Sequence, residues 1–243
     1  MRIYEFLNRR HLKIMALLTM TIDHIAVGFI TILFKFSTNI AYMRVIGRMA
    51  FPLFCYQYVE SIYRTHDLKK MCQRLLLLAL ISEIPYNLLI NNQMIAPGMN
   101  VIWQFFIHSL LVLIKDWFGS KLSNYESNQF YQFVSNSLMF IVSITVANIL
   151  SFDYGLFGSS LIMLLYLLRQ SKASQVSMMV IMIGVYYSYD IRFLISGLIS
   201  VLLIFMYNRD KRIKFNTFES TFYQLYYPLH QLIIWLIISA RMF

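Results

Sequence analysis

Charge is what this sequence has least of. Only 13% of its residues are Asp, Glu, Lys or Arg, against 59% that are hydrophobic, and the mean hydropathy is +0.61. Soluble domains carry about 25% charged and about 45–50% apolar residues. A soluble globule of 243 residues has too much surface to hide such an excess of apolar groups. A water-soluble enzyme is therefore not what this composition leads one to expect, and intrinsic disorder is excluded by the same arithmetic. Cysteine is nearly missing, and two residues, Cys55 and Cys72, cannot build a disulfide scaffold. No CxxC pair, HExxH, P-loop, GxSxG elbow or GxGxxG with an acidic ribose contact occurs, and paired glycosidase carboxylates are not evident. The two-histidine spacings are not diagnostic of a metal, so no metal site is expected.

What is present is a series of long apolar runs. Crossing a bilayer takes roughly 20 such residues. Runs near 12–34, 45–63, 74–91, 100–117, 134–150, 154–168, 175–190, 192–207 and 222–240 predict nine transmembrane helices. The pieces between 154 and 207 are short enough to be tilted, broken or re-entrant. The fold class expected is an all-α, polytopic membrane bundle forming a single domain over 1–243. The first run is too long for a cleavable signal peptide and carries Asp23 and His24 in its middle. The one long polar loop is near 118–133.

The net charge of +10 would suggest nucleic acid in a soluble chain, but position matters more than sum here. With the N-terminus inside and nine spans, all of the 21 Lys and Arg fall on inner segments except Lys35, Arg44, Arg48, Arg192 and Arg241. Basic clusters at Arg2–Lys13, Arg64–Arg74 and Arg209–Lys214 thus obey the positive-inside bias, and the C-terminus lies outside. The implied partner is a lipid membrane, not nucleic acid. Cys55 and Cys72 then lie at or within the inner half, where a structural disulfide is not expected.

Ionisable residues inside apolar runs carry the functional signal, because a charge at mid-bilayer costs at least about 2.5–3.5 kcal/mol. Asp23 and His24 stand in LLTMTIDHIAVGF, about 100° apart on one helix. An acid beside an imidazole is suited to proton transfer; the alternative is a polar interhelical contact. Arg44 and Arg48 are one turn apart in the second run, with Gly47 for close approach and Pro52 as a candidate kink. Arg48 is a candidate to neutralise Asp23 or to hold an anionic ligand group; a snorkelling arginine is the alternative. Glu60 is as well read as an interfacial anchor as a catalytic group. Glu83, two residues before Pro85, is expected beside a helix break or paired with Arg48. Asn100, Gln104 and His108 form a polar stripe at i, i+4 and i+8 that should face a polar interior. Asp153, Tyr154, Gly155 and Gly158 mark an outer turn, and Asp190 with Arg192 a short outer link. Tyr223, Tyr226, Tyr227 and Pro228 precede His230, which lies deep in the last run; the tyrosines also suit an aromatic belt.

Four stretches together resemble the bacterial membrane-protein family named for the F-pilin acetylation protein, TraX. They are LKIMALLTMTIDHIAVGF, the run from RVIGRMAFPLF through ISEIPYNLL, DYGLFG, and YYPLHQLIIWLI. The resemblance implies an acetyl-CoA-dependent O- or N-acetyltransferase in the bacterial cytoplasmic membrane. The founding member acetylates pilin; most others have no assigned substrate, so pilin is not carried over. The family's acid-plus-histidine falls on Asp23 and His24, its second-span arginine on Arg48 and its third-span glutamate on Glu83. Its late tyrosine–proline–histidine element falls on Tyr227, Pro228 and His230. The expected mechanism has His24 as general base, oriented or charge-balanced by Asp23, with His230 as a further catalytic candidate. Arg48, His108 or His230 would stabilise the oxyanion. Arg48, Glu83, Asn100, His108 and Tyr227 are the expected donor-binding set. The acceptor is a peptide amine, a glycan hydroxyl or a lipid headgroup. An ion-coupled transporter and a non-catalytic interaction subunit remain as alternatives.

Overall fold

The computed structural model describes residues 5–122, 128–211, 213 and 215–240. Arg2, Arg212, Lys214 and Arg241, counted above for charge bias, and part of the polar loop near 118–133 lie outside the described residues. The structure is an all-α, polytopic bundle. Its helices are α1 (Arg9–Thr31), α2 (Thr38–Gly47), α3 (Ala50–Arg64), α4 (Leu68–Asn91), α5 (Ile102–Gly119), α6 (Gln129–Ile149), α7 (Gly155–Leu167), α8 (Lys172–Tyr186), α9 (Ile191–Phe205) and α10 (Thr217–Ser239).

Short polar side chains start most of them. Asn8, Ser37, Asp67, Asn128, Ser171, Asp190 and Asn216 each accept a hydrogen bond from the first-turn backbone of the helix that follows. Asp190 also takes the Arg192 guanidinium at 2.8 Å, so that link is a cap. Among the described residues three helices, α1, α4 and α6, are long and apolar enough to cross a bilayer by themselves. As expected of the 154–207 stretch, α7, α8 and α9 are short apolar helices of 13–15 residues.

Two local expectations need correction. The break in the second run is not at Pro52. It falls at Arg48–Met49, between α2 and α3, and Pro52 sits in the first turn of α3, where its missing N–H removes no helical bond. Nor does Pro85 break its helix, since α4 runs unbroken to Asn92, which closes it in the left-handed conformation (φ 51°).

The chain reverses at successive connections, so helix ends gather at two poles. At one pole the residues before α1 meet those after α9. Leu7 pairs with Tyr207, and the Lys172 ammonium donates to Glu5 (2.7 Å) and to the Phe205 and Tyr207 carbonyls. Glu60, at the end of α3, is buried there between Arg64 (2.9 Å) and Arg209, in a network and not at an open interface. At the other pole Met99 pairs with Phe152, joining the α4–α5 and α6–α7 connections.

The exterior is apolar where that of a soluble protein would be polar. Leu77, Leu80, Ile81 and Ile84 on α4 and Leu229, Ile233, Leu236 and Ile237 on α10 are exposed. Ser82, Asn87, Asn100, Gln104, His108, Gln175, Ser200 and Gln231 are buried. An apolar outside with hydrogen-bonding groups inside is the arrangement lipid demands. Cys55 and Cys72 are buried free thiols.

Small residues set the closest helix approaches. A side chain added at Gly197 of α9 would bring its Cβ to 2.6 Å from the Ile183 Cγ2 of α8. Gly197→Leu should therefore destabilise the protein by about 1–3 kcal/mol through overpacking. The check is the thermal midpoint of the purified protein in detergent, with the exposed Ile195→Leu as the neutral control.

Candidate active site

Asp23 and His24 occupy the second half of α1, where α2, α3, α4 and α10 all pack on that helix. Being adjacent, they point to different neighbours. Asp23 turns to α2 and accepts from the Arg44 guanidinium at 2.6 Å, with Gly47 directly behind it. A Cβ at Gly47 would coincide with the Asp23 side chain, so α2 can cross there only because residue 47 has none. This corrects the expected pairing: Arg44, not Arg48, neutralises Asp23, and Asp23 does not hold the His24 ring.

His24 is held by α10. Its Nδ1 lies 2.6 Å from His230 Nε2, and His230 Nδ1 lies 2.6 Å from the Tyr226 carbonyl oxygen. A carbonyl only accepts, so His230 Nδ1 carries a proton and, in a neutral ring, its Nε2 is an acceptor. His24 Nδ1 must then donate, which leaves His24 Nε2 without a proton. The two rings stack at 4.8 Å and 11°, and His230 stacks in turn on Tyr226 at 4.9 Å. The Tyr226 hydroxyl is tied back to α1 through Thr21 at 2.7 Å. His230 thus fixes the tautomer and tilt of His24, the role the sequence suggested for Asp23.

Asp23 and His24 line a cavity of about 200 Å³ with Arg44, Arg48, Asp153 and Tyr227. Its outer wall is made from helix ends at the pole of the α4–α5 and α6–α7 connections: Thr31, Ile90, Asp153 and Tyr186. Its floor of Met20, Phe54, Val101, Phe105 and Tyr227 also lines a second, mainly apolar cavity of about 220 Å³. That throat shares Arg9, Lys13, Ser61, Tyr223 and Gln224 with a third cavity of about 500 Å³ at the opposite pole. This vestibule adds Arg64, His66, Lys70 and Arg74, and its acid, Asp67, is paired with Lys70 at 3.2 Å. Successive cavities with common walls thus run from a basic pole to the Asp23–His24 chamber. About 16 Å of helix separates Lys13 from His24.

The remaining sequence candidates scatter. Arg48 lines the chamber at the α2–α3 break, its guanidinium 5.3 Å above the Phe193 ring. Tyr227 stands where chamber meets throat, edge-on to His24 at 6.3 Å. Glu83 does not meet Arg48; it accepts from Asn100 (2.5 Å) and Trp103 (2.9 Å). Asn100 caps α5 through Ile102 N and binds the Ala79 carbonyl, clamping α4 to α5. Gln104 holds the Gly155 carbonyl and Ser159 of α7. His108 lies 3.1 Å from the Tyr58 hydroxyl, edge-on to Tyr166. The stripe does face inward, but into helix contacts and not into the chamber. Sequence reasoning missed Arg44 as the partner of Asp23 and took Asp153 for a loop or cap residue. The signal for Arg44 was available, since Arg44 and Gly47 lie three residues apart, on one side of a helix. Among the described residues no His, Cys, Asp and Glu group is placed to hold a metal ion.

Fold and site together define a polytopic helical membrane protein with Asp23, His24, Arg44, Arg48 and Asp153 around one internal chamber and His230 bonded behind His24. The chain belongs to the TraX family: the family model described as TraX protein matches residues 8–238, nearly the whole sequence. No curated protein and no solved structure matches it.

The Arg44–Asp23 pair should behave as a buried unit. Asp23→Ala, which strands the Arg44 guanidinium, should lower stability more than the double change Asp23→Ala with Arg44→Met, by about 1–3 kcal/mol. Gly47→Ala should mimic the single mutant by pushing Asp23 aside. Thermal midpoints in one detergent of the unmodified protein, Asp23→Ala, Arg44→Met and the double variant complete the cycle, and strict additivity would contradict the pairing.

Proposed function

We propose that the protein is a membrane-embedded acetyltransferase. In this reading α2 and α3 form one broken span, giving nine crossings of the bacterial cytoplasmic membrane with the basic pole and the N-terminus inside and the C-terminus outside. TraX family membership and the membrane bundle support an acyltransferase-like role. The carrying observation is a hydrogen-bonded histidine pair that ends on an unprotonated nitrogen, in a chamber joined by a throat to a basic vestibule.

The residues fit acetyl-CoA as donor. Arg9, Lys13, Arg64, Lys70 and Arg74 give the vestibule a cationic lining suited to the phosphates. The throat walls, Leu17, Phe54, Leu75 and Leu78 among them, suit a pantetheine arm that carries little charge. When bound, the donor supplies an activated thioester carbonyl.

His24 Nε2 takes the proton of the attacking acceptor, an amine or a hydroxyl. A base so placed contributes about 10²–10⁴-fold. His230 keeps His24 in the accepting tautomer and spreads the charge it gains toward the Tyr226 carbonyl. Tyr227, at the junction of throat and chamber, directs a hydroxyl toward the developing oxyanion, and Arg48 supplies positive charge to the chamber in which the acceptor sits. The Arg44–Asp23 pair holds the chamber wall. Glu83, Asn100 and His108 support the donor path indirectly, through the contacts that hold α4 and α3, which line the throat, against α5.

Transfer from labelled acetyl-CoA by the purified protein tests the proposal. His24→Ala should lower kcat by about 10²-fold or more, with donor binding kept. His230→Gln should give a smaller loss of kcat at unchanged KM. Leu78→Trp in the throat and Arg74→Ala in the vestibule should instead raise KM for acetyl-CoA. Full activity of His24→Ala would overturn the assignment of the base.

A further inference from the structure

The chamber holds two charges that its own wall does not neutralise. Arg44 pairs with Asp23 at 2.6 Å through Oδ2, and Asp23 Oδ1 is left buried without a hydrogen-bond partner. Arg48 does not share in that pair: among the described residues it forms no ion pair, and its Nε is buried without a hydrogen-bond partner. Its guanidinium lies 5.3 Å over the Phe193 ring. On the wall formed by the α6–α7 connection, Asp153 takes the Tyr86 hydroxyl but meets no cation closely enough for an ion pair among the described residues. Its backbone is pinned by the bond from Asp153 N to the Met99 carbonyl at 3.1 Å, so the carboxylate is held on a fixed wall.

Burying the Arg48 Nε without a partner is expensive near a membrane interior, and the exposed Asp153 carboxylate that lines the same cavity does not close on it. Kept apart across a space of about 200 Å³, they form the complement of a molecule with both an anionic and a cationic group. The guanidinium fork matches a phosphate or carboxylate. The carboxylate matches an ammonium. The size of the space restricts the bound part to a small headgroup.

We propose that the acceptor of this chamber is a small zwitterionic primary amine, its acidic group on Arg48 and its ammonium on Asp153. This rests on the acetyl-transfer reading and names its acceptor class. The ammonium gives one proton to Asp153 and thence to water. The freed nitrogen attacks the thioester carbonyl, and its second proton passes to His24 Nε2. A C–N bond forms, the C–S bond breaks, and the departing thiolate takes the proton from His24. The products are an N-acetylated amine and free coenzyme A. The anionic group remains on Arg48 throughout.

The experiment is a thermal-shift titration of the purified full chain in detergent, without acetyl-CoA, using four probes. O-phosphoethanolamine and β-alanine carry both charges, ethanolamine only the cation, and ethyl phosphate only the anion. The expected result is that at least one double-charged probe half-saturates about tenfold or more below both single-charged ones. Arg48→Gln should erase the preference over ethanolamine, and Asp153→Asn the preference over ethyl phosphate. Arg48→Lys should keep part of it and checks that the fold tolerates change at 48. Equal half-saturation by all four probes in the unmodified protein overturns the proposal, whatever the variants do. Repeating the titration in phosphatidylethanolamine and phosphatidylcholine nanodiscs identifies the source. Competition by the former points to a lipid headgroup, and none points to a soluble zwitterion. A zwitterion preference without acetyl transfer would sink the enzyme reading alone; transfer without the preference would sink this inference alone.

Discussion

The structure turns on one constraint: polar groups withdrawn from water inside a lipid-facing bundle must find each other. The Arg44–Asp23 contact is where this is most stringent, since it joins two full charges at 2.6 Å between helices that touch. It exists only because Gly47 lets α2 come against α1 at the level of Asp23. The same crossing sets the wall from which Arg48 faces the chamber, at the break before α3. Asp23 therefore locks α2 to α1, while its neighbour His24 turns to a different helix.

That neighbour is controlled from across the bundle. α10 supplies His230, and the Tyr226 carbonyl decides which of its nitrogens bears the proton. The decision passes through a single 2.6 Å contact to His24. A buried carboxylate in that position would pull a proton toward itself and favour a charged ring. A second imidazole fixes orientation with no charge of its own, which is the less costly solution where solvation is poor. The Thr21–Tyr226 bond returns the connection to α1, so these contacts form one closed loop between α1 and α10.

Much was legible in the chain itself. Apolar runs longer than a soluble core needs announced an all-α membrane bundle. The scarcity of charge made Asp23, His24, Arg48 and His230 stand out, and all but His230 line the chamber directly. Glu83, Asn100 and His108 stood out by the same rule but serve helix contacts. Burial of a polar group shows that it has a partner, not that the partner is a ligand.

Segment type, approximate span and the identity of the interior polar residues thus followed from composition and periodicity, because both are local properties of the chain. Family resemblance, legible in the same runs, extended over residues 8–238. Pairings did not follow. Adjacent residues on a helix diverge by about 100°, so whether Asp23 serves His24 or Arg44 depends on which helix each one meets. The break at Arg48 rather than Pro52, the 206-residue reach from His24 to His230, and the cavities that link a basic pole to them arise only when α1, α2 and α10 are packed together.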